Sequence, residues 1–167
     1  MMAIAIAPGP AAPLLSRKPE RLLVEGYRAW LNGYETGSID CWERGWTVYL
    51  AELGSADARR IYGEVSWWVR QTRAAAGRAL TCFPYGCQCL CRDECLLVSF
   101  VAAVQNGDLE AQRRCVVHLA ADGRADMATA AARDLSAAFD GIHQRLFPVP
   151  ADVIDDIAGR PCSARFN

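Results

Sequence analysis

The chain has 167 residues, of which 52% are hydrophobic and 22% charged. That is one domain's length, with enough apolar material to bury a core without disulfide staples. With 18 basic against 19 acidic residues the formal net charge is −1, which removes any global electrostatic case for nucleic acid or an anionic membrane. The longest apolar run, residues 96–104, contains Ser99 and is about half the roughly 20 residues that span a bilayer.

Residues 1–16 open with small, apolar positions broken by Pro8 and Pro10 and lack a basic segment. They are expected to form a disordered tail rather than a secretory signal. A cytoplasmic location follows by default.

A helical domain is expected over residues 17–147. Leu23, Tyr27, Trp30 and Tyr34 recur at helical spacing until Gly37, so they share one face. Ser38 is the expected N-cap of a second helix, with Asp40 in its first turn. Ile39, Trp42, Trp46, Tyr49, Leu50 and Leu53 line its inner stripe. Gly54 stops it, and Ser55 is expected to cap a third helix reaching about Ala79. There Ile61, Tyr62, Val65, Trp68, Val69 and Thr72 face inward. Pro84 and Gly86 then break the pattern.

A fourth helix, capped by Asp93 and running over 94–105, is apolar nearly all round and should be central and buried. Asn106-Gly107 ends it. Asp108 caps a fifth, with Leu109, Gln112, Cys115, Val116 and Leu119 on one side. A sixth spans 125–146, with Met127, Ala131, Leu135, Ala138, Ile142 and Leu146 inward, before Pro148 and Pro150. Residues 148–167 hold at most a short helix and a tail. Asp40, Gly54, Ala58 and Arg60 echo Asp93, Gly107, Ala111 and Arg113 at constant offset. Two hairpins obeying the same capping rules explain the echo better than duplication. The expected fold is all-α: a single-domain bundle of five to six helices with a Cys-rich loop before the buried central helix.

Chemistry concentrates in that loop. Cys82, Cys87, Cys89, Cys91 and Cys95 are spaced C-x4-C-x-C-x-C-x3-C. Thiolates are soft donors suited to zinc, copper(I) or an iron–sulfur cluster, and a short loop supplies several at little closure entropy. In an extended segment Cys87, Cys89 and Cys91 point the same way. Cys95, in the first turn of a helix, is expected to have a lowered pKa. No paired C-x2-C knuckle or ferredoxin run is present. If the segment is helical, Cys87, Cys91 and Cys95 form a stripe that packs as core instead. Cys41 and Cys115 are read as core and Cys162 as exposed.

His118 is expected to be a satisfied core histidine. Asp140-x-x-His143 has the spacing of half a di-iron site but lacks the other carboxylates; a polar helix flank explains it. Trp67 and Trp68 cannot both face inward on one helix face, so one should be partly exposed or buried against a neighbour, which offers a partner surface. Arg59–Arg60 and Arg113–Arg114 read as solvated faces paired with Asp57 and Glu110.

The leading expectation is a small cytoplasmic protein holding zinc or an iron–sulfur cluster through the five clustered cysteines, for metal handling, electron transfer or sensing. The alternatives are a metal-free helical module that binds a protein partner, and a thiol redox protein with Cys95 as nucleophile. The partner expected is a protein, not nucleic acid or membrane.

Overall fold

A computed structural model describes residues 14–166. They form seven helices: α1 Lys18–Thr36, α2 Ile39–Leu53, α3 Ser55–Ala76, α4 Arg92–Asn106, α5 Leu109–Leu119, α6 Ala125–Asp140 and α7 Ala151–Ala158. The only β pairing among the described residues is a single bridge between Leu90 and Phe166. The all-α expectation holds, and the seventh helix is the short one after the prolines. Of the tail expected over 1–16, residues 1–13 lie outside the described residues, while Leu15 is buried in the core.

The central helix is α4. Every residue from 93 to 103 is buried, because α1, α5, α6 and α7 all pack on it. The α3–α6 pairing is the most extensive, followed by α1–α2 and α4–α5. Helices α3 and α6 run antiparallel: the Ala121 amide bonds Ala75 O near the start of α6, while Arg60 lies by Gly141 at its end. Helix α7 caps α4 and α5 with Ile154 and Ile157.

Glycines set the closeness of α1 and α2. A Cβ on Gly33 would collide with the Trp42 indole, and one on Gly45 with Tyr62 and Ala29. The rings of Trp30, Tyr34, Trp42, Tyr62 and Tyr49 consequently stack in one cluster, with centroids 4.8–5.9 Å apart, the offset and tilted geometry aromatic rings favour.

Several expected boundaries move, each for a local reason. Helix α3 stops at Ala76 because Gly77 is left-handed, φ 64. Helix α6 stops at Asp140. Past it His143 turns to φ 57, and Gln105 binds Asp140 Oδ1, Gln144 O and the Leu146 amide. The N-cap of α4 is Cys91, not Asp93, and that of α3 is Gly54, not Ser55. Asp108 caps α5 as expected, accepting from the Ala111 amide. The stripe of α3 is buried throughout. Ile39, Leu50, Leu109 and Met127, read as inward, are exposed, because no neighbour covers that edge of their helices.

Candidate functional site

The loop between α3 and α4 is assembled around one buried cation. Arg28 is wholly buried on α1, and all five of its N–H donors are used. Nε and Nη2 form a fork on the Glu94 carboxylate at 2.7 and 3.3 Å. Nη1 donates to Glu25 Oε1 at 3.1 Å and to Cys87 O at 2.8 Å. Nη2 also donates to Cys89 O at 2.8 Å. Glu94 in turn accepts from the amides of Phe83 and Cys91. A charge taken out of water survives only when paired and fully hydrogen-bonded, and Arg28 with Glu94 meets that condition.

A second anchor lies alongside. Asp93 receives two bonds from Arg78, at 2.8 and 2.9 Å, and others from the Thr81 amide and hydroxyl. Burial opposes ionisation of Asp93, but these donors hold its carboxyl below the ordinary value. Tyr27 adds a bond from its hydroxyl to Thr81 O. Gly86, at φ 77, makes the turn that brings the Cys87 amide to Pro84 O. On the outer side Leu90 and Phe166 exchange both backbone hydrogen bonds.

The five clustered cysteines have separate roles within this frame. Cys87 and Cys89 contribute their carbonyls to Arg28. Cys91 caps α4, its Sγ accepting from the Glu94 amide while Glu94 accepts from the Cys91 amide, which is the reciprocal capping box. Cys82 Sγ donates to Asn32 Oδ1 on α1. Cys95 is buried in the hydrophobic core. Cys91 is an electrostatic neighbour of both Cys82 and Cys95. Among the described residues no group of three or more His, Cys, Asp or Glu is arranged to hold a metal ion.

The lowered pKa expected for Cys95 is overturned. Burial pushes its thiol up, and Cys91 and Glu94 push the same way. The dipole of α4 acts on a group already sealed from water, so desolvation of the thiolate wins. Burial and Glu94 likewise raise Cys82 to about 12 and Cys91 to about 11. These three thiols stay protonated at neutral pH, whereas the nucleophile in thiol chemistry is the thiolate.

The histidines lie elsewhere. His118 is exposed on α5, 3.9 Å from Asp155, not in the core. His143 is exposed past α6, and Asp140 engages Gln105 and Arg145. Cys115 is core, Cys41 half-buried and Cys162 exposed. Arg60 pairs with Asp57, and Arg113 and Arg114 pair with Glu110.

Sequence reasoning missed Arg28 and its carboxylates. Two signals were present: Cys91-x-x-Glu94 has capping-box spacing, and Glu25 and Arg28 interrupt the otherwise apolar surround of α1 formed by Leu22, Leu23, Val24, Tyr27 and Leu31.

The tryptophan pair divides as expected: Trp68 is fully buried and Trp67 is 41% exposed. Gln71 and Ala74 follow Trp67 at i+4 and i+7, so they continue its face. They line an open groove of ≈ 490 Å³ whose far wall, on α6, carries Met127, which is 55% exposed. Among the described residues no helix is long and apolar enough to cross a membrane. The chain matches no protein-family model, no curated protein and no solved structure at a significant level.

Proposed function

We propose that this chain is a helical protein-interaction module whose Cys-rich loop is a structural element and whose docking face is the α3–α6 surface around Trp67 and Met127. The observation that carries the reading is an open groove between α3 and α6, the two most extensively packed helices of the bundle, with the exposed Met127 on its α6 wall and the exposed Trp67 one turn before Gln71 of its α3 wall. Large exposed aromatic and thioether side chains at a groove are the composition of interface centres. The thiols support the same reading: the carbonyls of Cys87 and Cys89 serve Arg28, Cys91 caps a helix, and Cys95 fills core.

The test is site-specific photo-crosslinking in cells expressing the chain, with a photoreactive amino acid at position 67 or 127 and, as controls, at positions 59 and 153. A discrete adduct at the first pair, absent from the controls and identified as one protein by mass spectrometry, is the expected result. Equal adducts at all four positions would remove the docking face. Stoichiometric zinc or iron in the anaerobically purified protein, lost in the Cys89→Ser/Cys91→Ser variant, would replace this reading with the metal-binding one.

A further inference from the structure

We propose that the α3–α6 face takes an acidic peptide segment bearing an apolar anchor; this rests on that face being a docking surface and adds the partner's chemistry. A second open groove, of ≈ 470 Å³, adjoins the first and shares Ala74 with it. Its lining includes Arg70, Arg73, Arg78 and Leu80, with Glu35 as its one acid. The first groove adds Arg124 and Asp126. Of the four guanidinium groups along the joined surface, Arg73 is paired with Glu35 and Arg78 with the buried Asp93, which leaves Arg70 and Arg124 against Asp126.

The four arginines are not equivalent. Arg73 is held by Glu35 at 2.8 Å and lies over the Tyr34 ring. Arg78 is clamped on the buried Asp93. These two are fixed in place, and Arg78 is partly neutralised from beneath. Arg70 and Arg124 are exposed and make no ion pair among the described residues. They flank the ridge formed by Ala74, one in each groove. An occupant with carboxylates on both sides of an apolar residue satisfies them, while its apolar residue meets Ala74 and Met127 and its next apolar turn reaches Trp67, which lies two turns before Ala74 on the same α3 face. Charge complementarity of this kind sets partner choice and encounter rate, and an amphipathic helix laid in a groove is a common form for such a segment. Nucleic acid fits less well: tracking a phosphate backbone requires a longer unbroken run of cations, and this surface is interrupted by Glu35, Asp126 and Met127.

The probes are two fluorescein-labelled helical peptides of about 18 residues with the same Leu/Phe stripe, one flanked by Glu and one by Lys, and a labelled oligo(dT). Binding to the full chain is read by fluorescence anisotropy. The Glu peptide is expected to bind, and to weaken at least about tenfold between roughly 0.05 and 0.5 M salt. Arg70→Glu/Arg124→Glu should weaken the Glu peptide by about tenfold or more and strengthen the Lys peptide, whereas Arg59→Glu should change neither. Circular dichroism of the variants checks that the fold is kept. Equal binding of both peptides, weakened alike by Trp67→Ala, would overturn the charge rule and leave the docking face standing. Peptide binding indifferent to Trp67→Ala would remove the face itself. Tighter binding of oligo(dT) than of the Glu peptide, or no binding of the Glu peptide, would overturn the acidic-segment proposal.

Discussion

Replacing Arg28 tests how the loop is held. In Arg28→Met the Glu94 carboxylate, fully buried, loses its fork, and Glu25 Oε1 and two loop carbonyls lose their donor. Removing one partner of a buried ion pair costs about 3–5 kcal/mol. Against a total stability of about 5–15 kcal/mol for a domain, that is a large fraction. Arg28→Lys keeps the charge but offers three donors from one point to acceptors arranged for a planar fork. Two or three unmade bonds at about 1 kcal/mol each give roughly 2–3 kcal/mol. Arg28→Met/Glu94→Gln should recover part of the loss, because the unpaired charge is gone and the glutamine oxygen still accepts from the Cys91 amide. The assay is urea unfolding followed by far-ultraviolet circular dichroism, with mass-spectrometric alkylation of Cys87 and Cys89 as a local reading. The expected order of stability is wild type, Arg28→Lys, the double variant, then Arg28→Met. A loss below about 1 kcal/mol in Arg28→Met, with loop alkylation unchanged, would refute the clamp.

Gly33→Ala should destabilise by up to about 2 kcal/mol: the collision with Trp42 costs about 1–3 kcal/mol, against a helix-propensity gain of about 1 kcal/mol. Gly63→Ala, on the exposed face of α3 with open space around it, should instead stabilise by about 0.5–1 kcal/mol; thermal melts of both variants decide, and equal signs would sink the packing argument. Burial raises the Glu25 carboxyl above its ordinary 4.5 more strongly than Arg28 and the Gly86 backbone amide lower it. The folded state therefore binds this proton more tightly than the unfolded state, and the Glu25 contribution improves as pH falls through the raised value towards 4.5. Glu25→Gln should flatten the stability–pH curve in that window and leave neutral-pH stability unchanged or higher. Asp93 acts in the opposite sense and lower down, losing its contribution as pH falls below 3.8; an unchanged curve above that range in Glu25→Gln would contradict the burial effect.

What the sequence by itself determined was local. The helix ends at Gly37 and Gly107, the Asp108 cap and the inward stripe of α3 follow from residues within one or two helical turns, and periodicity alone separated Trp68 from Trp67. The buried character of α4 was legible because its apolar residues surround the axis. Tertiary structure decided the rest. Arg28 and Glu94 are 66 positions apart, so no spacing rule joins them, and only their meeting turns the Cys87 and Cys89 carbonyls inward. The same meeting puts Cys91 at a helix cap and seals Cys95, reversing the pKa expected from its helix position. Met127 and Leu109 sit on stripes that look internal in sequence, yet which part of a stripe is covered depends on where neighbouring helices end. The docking face is such an uncovered part: α3 and α6 bury their shared seam against each other, and Trp67 and Met127 fall just outside it.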